Sequence, residues 1–270
     1  MSAAPIYYDI YQSLRAEGPL AHLVLIHGWG MNGSVWDRLI PELLPHYDLT
    51  IVDLPGFGRS PLTQNSYSLD FLVQSVLAVV PKKAIWLGWS FGGMVATQAA
   101  ITAPNRIQAL VNIASTPCWM QKKDWSVAIA EKLFREFNQR LTINARDALT
   151  RFLALQCKDS DSIKESIRYI RERAFLHGSP APDALMSGLD LLMYTDLRTQ
   201  LSQLTLPISY WLGERDSLIP VGLAEQLKIL SPAIYTHMIP GTSHVPFVAH
   251  TELWVPDLQA WIHSLNLSLE

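Results

Sequence analysis

Short apolar runs recur along the chain, separated by stretches with the apolar spacing of amphipathic helices. Near the start, Ile6, Tyr8 and Ile10 alternate with polar neighbours, which predicts an edge strand. The run at residues 20–26 is typical of a strand buried on both faces, and further mainly apolar runs that predict strands occupy residues 49–52, 84–87, 109–114, 207–212 and 234–239. This alternation with helices predicts an α/β protein with a mostly parallel central sheet and helices on both faces.

Helical signals fill the intervals between these runs. Ser34 and Ser68 are predicted to cap two helices, and further helices are expected after residue 90 and at residues 221–230 and 251–265. From residue 117 to 194 the pattern is helical only, with expected helix starts near Lys123, Thr142, Ser160 and Pro180. We therefore expect a core of residues 1–116 and 195–270 that carries an inserted four-helix cap at 117–194.

The composition narrows the class of protein. Of the 270 residues, 49% are apolar and 17% are charged, as in a globular protein, and a net charge of −3 does not suit a nucleic-acid partner. Residues 1–12 lack the regions of a signal peptide, and the glycines and polar residues of the uncharged run 84–105 argue against a membrane span. Cys118 and Cys157 are expected to be buried free thiols. We expect a cytoplasmic monomer without a membrane partner.

Charge is distributed unevenly between the expected cap and the rest of the chain. Residues 117–175 hold twelve Lys or Arg and eight Asp or Glu, a net +4, whereas the remaining residues sum to −7. Lys164, Arg168 and Arg171 form a basic stripe on the third expected cap helix. The stripe indicates an anionic partner, although a solvated helix face is an equally good interpretation of the sequence.

The segment Gly88-Trp89-Ser90-Phe91-Gly92 has the G-x-S-x-G pattern of a nucleophile elbow. It follows an apolar strand and precedes an alanine-rich helix, and its glycines permit a sharp turn without a Cβ clash. Ser90 is therefore the candidate nucleophile. The alternative is a glycine-rich turn without chemistry, and Ser60 is a weaker rival because it lacks the strand-turn-helix setting.

An elbow serine in this architecture is followed along the chain by an acid and then by a histidine. Asp216 comes just after the run at 207–212 and is the candidate acid, with Glu214 as the second choice. His244 lies in the loop after the last strand and is the candidate base. His27 precedes the serine, and a structural role is expected for it.

Acyl transfer to an elbow serine also needs donors for the oxyanion. The backbone N–H groups of Phe91 and Trp29 are the candidates, since Gly28 and Gly30 allow the loop to approach the substrate. The Trp29 indole belongs either to an acyl pocket or to the core. We expect no cofactor and no metal, because the chain has neither a phosphate-binding loop nor a metal-ligand motif.

Six segments together resemble the pimeloyl-acyl carrier protein methyl ester carboxylesterases of biotin synthesis, a family of the α/β-hydrolase superfamily. They are HGWG at 27–30, DLPGFGRS at 53–60, AIWLGWSFGG at 84–93, ASTPCW at 114–119, RFLALQ at 151–156 and SHVPF at 243–247. The resemblance covers nearly the whole chain. It implies an α/β-hydrolase fold and a serine esterase that releases methanol from the ester through an acyl-enzyme.

The same resemblance implies roles for particular residues. It implies a catalytic triad of Ser90, Asp216 and His244, and a substrate site of Trp29, Ser90, Phe91, Phe152, Leu153, Ala154, Leu155, Gln156 and His244. It places the acidic carrier protein against Arg151, Lys164 and Arg168. One basic position of the family is Asp147 here, and the adjacent Arg146 is the fourth residue predicted to meet the carrier. Phe91 stands where leucine is usual.

Other functions of the same fold stay open at this point. A general short-chain carboxylesterase or a carbon–carbon bond hydrolase would share the elbow and the cap. A non-catalytic binding protein is the third alternative, and it is disfavoured because all three triad residues are present in the expected order.

Overall fold

Seven strands form one sheet in the computed structural model, which describes residues 5–63, 67–158 and 162–267. The strands are β1 (Tyr8–Tyr11), β2 (Ala21–Ile26), β3 (Tyr47–Val52), β4 (Ala84–Trp89), β5 (Ile107–Ile113), β6 (Ile208–Gly213) and β7 (Tyr235–Ile239). They lie in the order β1-β3-β2-β4-β5-β6-β7. β1 is antiparallel to β3 and every other described pair is parallel, which confirms the predicted mostly parallel sheet.

The burial of each strand matches its position in the sheet. β4 lies in the middle of the sheet and all of its residues are buried, as expected of a strand covered by helices on both faces. β1 lies at one edge, as predicted, but its Tyr8 and Ile10 are exposed whereas Asp9 and Tyr11 are half-buried, so the apolar alternation does not mark a buried face. The sheet therefore forms the centre of the apolar core.

Helices connect the strands and cover the sheet. They are α1 (Ile40–Leu43), α2 (Leu69–Leu77), α3 (Phe91–Thr102), α4 (Glu131–Ile143), α5 (Ala145–Gln156), α6 (Ile163–Ala174), α7 (Pro182–Tyr194), α8 (Arg198–Leu201), α9 (Leu223–Leu230) and α10 (Val255–Ser264). Short 3-10 helices occupy Gly33–Trp36, Pro104–Arg106 and Thr251–Leu253. The predicted cap of α2 is confirmed, since the Ser68 hydroxyl accepts a hydrogen bond from the Phe71 N–H.

The prediction for Ser34 was wrong. The side chain of Asn32, not that of Ser34, caps this segment by accepting from the Ser34 N–H at 3.1 Å. The segment is the 3-10 helix Gly33–Trp36, followed by the single turn of α1. The apolar spacing that predicted one helix is thus shared between two short ones.

The segment between β5 and β6 is helical from α4 to α8, but its first helix begins later than expected. α4 starts at Glu131 and not near Lys123, because the preceding chain pairs with itself. The Ile129 N–H donates to the Trp119 carbonyl at 2.9 Å, and isolated bridges join Met120 to Ile129 and Lys122 to Trp125. Local backbone pairing therefore replaces a helical turn there.

The other expected starts in this segment lie closer to the observed ones. α5 begins at Ala145 after an Asn144 cap, and α7 begins at Pro182. The start expected near Ser160 lies outside the described residues, and α6 is described from Ile163.

The turn between β4 and α3 has the strained backbone predicted for an elbow. Ser90 has φ 55° and ψ −116°, a conformation that L-residues rarely adopt. Its N–H donates to the Ile113 carbonyl at 2.9 Å, and its carbonyl accepts from the Ser115 hydroxyl at 2.8 Å. A Cβ at Gly92 would overlap the carbonyl oxygen of Ile26 on the neighbouring strand. The surroundings thus hold Ser90 in its turn.

We expect Gly92→Ala to destabilise the fold by about 3 kcal/mol, because the added methyl group meets backbone atoms that cannot move aside. The free energy of unfolding in urea measures this cost. Gly222→Ala is the matched control, since its Cβ would meet only the end of the Val127 side chain at 3.2 Å. Equal stability of the two variants would contradict the prediction.

Candidate active site

Ser90, His244 and Asp216 form a continuous hydrogen-bonded chain. The Ser90 hydroxyl lies 2.9 Å from His244 Nε2, and His244 Nδ1 lies 2.7 Å from an Asp216 carboxylate oxygen. A carboxylate can only accept, so Nδ1 carries the proton and Nε2 is free to accept from the hydroxyl. The arrangement can deprotonate the serine as a substrate carbonyl approaches.

Loops at the carboxyl ends of the strands position the acid and the base. Asp216 follows β6, and its second carboxylate oxygen accepts from the N–H groups of Leu218 and Ile219 at 2.8 and 3.0 Å. His244 follows β7, and its carbonyl accepts from the Trp89 indole at 2.8 Å. Both side chains are fully buried, which fixes their orientation.

Glu214, the second choice for the acid, lies elsewhere. Its carboxylate accepts from the Gly241 N–H at 2.9 Å and so braces the loop that leads to His244. Ser60, the rival nucleophile, donates its hydroxyl to the Asp53 carbonyl at 2.5 Å and accepts from the Tyr7 N–H at 2.8 Å. The structure brings neither residue to His244.

The candidate oxyanion donors come just after two adjacent parallel strands, β2 and β4. Phe91 is the first residue of α3, where backbone N–H groups lack a partner within the helix. Trp29 follows β2, which pairs with β4 up to Ile26 opposite Gly88. A Cβ at Gly188 would lie 3.0 Å from the Trp29 ring and 3.6 Å from the Phe91 ring, so both rings face the same part of α7.

His27 braces the loop that carries Trp29. Its Nδ1–H donates to the Gly28 carbonyl at 2.8 Å, and its Nε2 accepts from the Leu54 N–H at 2.9 Å. Burial lowers the pKa of His27, although Asp53 acts in the opposite direction. The imidazole therefore stays neutral and keeps both bonds near neutral pH.

An apolar cavity opens beside Ser90 and runs between the helices that follow β5. It is lined by Trp29, Ser90, Trp119, Ile129, Leu133, Phe134, Phe137, Phe152, Leu155, Leu189, Leu192 and Leu218. Phe152 and Leu155 thus lie where the sequence placed the acyl wall. In the described part of the chain, Leu153, Ala154 and Gln156 do not border this cavity, and the Gln156 carbonyl accepts from the His244 N–H at 3.2 Å.

Most of the cavity wall was missed by the sequence analysis. Phe134 and Phe137 come from α4, and Leu189 and Leu192 come from α7. Their apolar spacing predicts a buried helix face, but it does not show whether that face borders a cavity or the core. Trp119 was part of a family motif without an assigned role.

A basic groove lies between α5 and α6 on the surface. We define it by Arg146, Lys164, Arg168 and Arg171, which line it together with Thr150, Ile167, Glu172 and Phe175. The Arg146 guanidinium stacks over the Phe175 ring at 4.4 Å. Three of the four residues predicted to meet the carrier protein, Arg146, Lys164 and Arg168, thus share one groove.

Arg151 does not line this groove. It forms an exposed ion pair with Asp147 one helical turn earlier, at 2.8 Å. Asp147 thus gives Arg151 a partner within its own helix. Exposed pairs of this kind are weak, and a stronger anionic partner could displace Asp147.

The described residues offer neither a metal site nor a membrane span. Over 5–63, 67–158 and 162–267, no three His, Cys, Asp or Glu side chains gather into a set that could hold a metal ion. Within the same residues, no helix is both long enough and apolar enough to span a membrane. Cys118 and Cys157 are free and buried, as predicted, and burial raises the pKa of the Cys157 thiol to about 12.

Comparison with known proteins identifies the family of this chain. The family model described as alpha/beta hydrolase fold matches residues 21–251. A pimeloyl-acyl carrier protein methyl ester esterase from Aeromonas salmonicida (strain A449) is 43% identical over 242 residues, which are 88% of this chain and 93% of the relative. A protein of the same name from Aliivibrio fischeri (strain MJ11) is 38% identical, over 92% of this chain and 96% of the relative.

The chain belongs to the pimeloyl-acyl carrier protein methyl ester esterase family of α/β hydrolases.

Solved structures of other α/β hydrolases share the architecture of this esterase family member. An esterase from Exiguobacterium antarcticum superposes with a TM-score of 0.80 at 16% identity, over 97% of this chain and all of that one. A bromoperoxidase from Bacillus anthracis gives a TM-score of 0.81 at 21% identity, over 96% and 95% of the two chains. At these identities the likeness shows the fold alone, and the esterase relatives show that this family member is a hydrolase.

Proposed function

We propose that this protein hydrolyses the methyl ester of pimeloyl-acyl carrier protein to pimeloyl-acyl carrier protein and methanol in biotin synthesis. The observation that carries the proposal is the double role of α5. Its Phe152 and Leu155 line the apolar cavity beside Ser90, and its Arg146 lines the basic groove. In this proposal α5 contacts both the apolar acyl chain and the anionic carrier. The names of the relatives support the same substrate.

In the first half of the reaction, Ser90 Oγ attacks the carbonyl carbon of the methyl ester and passes its proton to His244 Nε2. The backbone N–H groups of Trp29 and Phe91 stabilise the oxyanion, and Asp216 stabilises the imidazolium. The bond to the methoxy oxygen then breaks, and methanol leaves with the proton from His244. Ser90 is left as an acyl-enzyme.

In the second half of the reaction, water hydrolyses the acyl-enzyme. His244 removes a proton from the water, whose oxygen attacks the acyl carbon, and the collapse of the intermediate returns that proton to Ser90 Oγ. The product is a free carboxylate in an apolar cavity. A carboxylate is less stable in an apolar cavity than in water, so the charge favours release of the product.

The acyl chain and the carrier occupy different parts of the molecule in this proposal. Helices α4 to α7 act as a cap, residues 117–194, over a core of residues 1–116 and 195–270. The methylene chain lies in the apolar cavity, and the basic groove meets the acidic carrier and its phosphopantetheine phosphate. Arg146 supplies the positive charge that is missing at Asp147, and Arg151 contributes when the carrier displaces Asp147.

Substitution of Asp216 or of Glu214 tests which of the two carboxylates is the acid of the triad. Asp216→Asn should lower kcat by about 10³- to 10⁴-fold, because the amide no longer holds the His244 tautomer that accepts the serine proton. Glu214→Gln is the matched control and should change kcat by less than about threefold, since its amide oxygen can still accept from Gly241. Steady-state hydrolysis of a small ester measures both. A larger loss in the Glu214 variant would contradict the assignment.

The basic groove makes a second prediction. Lys164→Glu with Arg168→Glu should lower kcat/KM for pimeloyl-carrier methyl ester by about tenfold or more, because like charges then face the carrier. Hydrolysis of p-nitrophenyl butyrate should stay unchanged, since that ester reaches Ser90 without the groove.

The matched control for charge is Lys82→Glu with Lys228→Glu, which makes the same change at exposed positions of the core. This variant should cleave both substrates at the wild-type rate. If the groove variant kept its activity on the carrier substrate, the groove would be only a solvated helix face. The protein would then be a general short-chain carboxylesterase.

A further inference from the structure

The indole of Trp119 is a buried hydrogen-bond donor without a partner. Its side chain is 2% exposed, and its Nε1 makes no hydrogen bond to any described residue. The indoles of Trp36 and Trp86 are also unpaired, but the two other indoles near Ser90 are satisfied: Trp29 donates to the Leu185 carbonyl at 3.0 Å, and Trp89 donates to the His244 carbonyl at 2.8 Å. A buried donor left unpaired is costly, so an acceptor from a ligand would relieve it.

Trp119 lies on the same side of Ser90 as the base. It borders the apolar cavity together with Ser90, and its ring lies edge-to-face with the His244 imidazole, with 6.1 Å between ring centroids. Trp29 borders the acyl side, where its ring packs against Phe152 at 5.2 Å. The carbonyl of Trp119 is held by the Ile129 N–H, so the backbone that carries the indole is fixed.

The chemistry of ester cleavage distinguishes these two sides. The carbonyl oxygen of the ester faces the oxyanion donors, whereas the departing alkoxy oxygen must face His244 Nε2, which protonates it. A donor beside His244 is therefore on the side of the alkoxy oxygen.

We propose that Trp119 forms the subsite for the leaving alcohol: its indole N–H donates a hydrogen bond to the alkoxy oxygen of the ester, and its ring limits that alcohol to a small group such as methanol. The inference rests on the proposed ester hydrolysis and deepens it. As the bond between acyl carbon and alkoxy oxygen breaks, the electron pair stays on that oxygen. His244 supplies the proton, and the indole keeps its own.

The test compares leaving groups on one acyl chain. Trp119→Phe keeps an aromatic ring but removes the donor, so kcat/KM for methyl butyrate should fall by about tenfold. For p-nitrophenyl butyrate the fall should be less than about twofold, because p-nitrophenolate leaves without help. Equal losses on both esters, or no loss on methyl butyrate, would overturn the proposal, since a purely structural role affects both esters alike.

A second variant tests the limit on alcohol size. Trp119→Ala should raise the ratio of butyl to methyl ester hydrolysis by about tenfold, and an unchanged ratio would overturn the size limit. Trp261→Phe is the control for loss of an indole, because Trp261 lies on α10 and stacks on Tyr235. This control should leave unchanged the ratio of butyl to methyl ester hydrolysis and the ratio of methyl to p-nitrophenyl ester hydrolysis.

These assays separate the inference from the proposed function. If the wild type cleaves methyl butyrate but not pimeloyl-carrier methyl ester, the proposed function fails and the Trp119 test still decides the subsite. If the wild type cleaves the carrier ester but Trp119→Phe loses nothing on methyl butyrate, the subsite fails alone.

Discussion

The strained turn at Ser90 is the constraint on which the rest of the site depends. A residue with φ 55° is tolerated only where its surroundings hold it there, and here Gly92 packs directly against the carbonyl of Ile26 on β2. The same close approach brings the loop that follows β2, with Trp29, towards the start of α3. The close contact between α3 and β2 thus places the nucleophile beside the loop that carries Trp29.

The remaining parts of the site are built outward from that turn. Parallel strands end at the same edge of a sheet, so the loops after β6 and β7 carry Asp216 and His244 to Ser90. The helices between β5 and β6 then enclose the site with apolar side chains, and α5 extends from this enclosure to the basic groove. The proposed substrate has the same division, with an apolar chain between a neutral ester and an anionic carrier.

The sequence predicted the features that depend on local geometry and chain order. The G-x-S-x-G pattern and the positions of Asp216 and His244 after strands were sufficient to bring the three residues together. Contacts between distant segments were not predictable in the same way. The pairing within residues 119–129 delays the first helix after β5, and Arg151 pairs with Asp147 and does not line the groove. The unpaired indole of Trp119 was also invisible, because an apolar run does not show which donors lack a partner.

The salt dependence of methanol release tests the central claim most directly. Purified protein would be given pimeloyl-carrier methyl ester or methyl butyrate, and kcat/KM would be measured between about 0.05 and 0.5 M NaCl, where screening of surface charge increases strongly. The account predicts rapid methanol release from the carrier ester that falls steeply with salt, and little change for methyl butyrate. Absence of release from the carrier ester, or the same salt response for both esters, would contradict it.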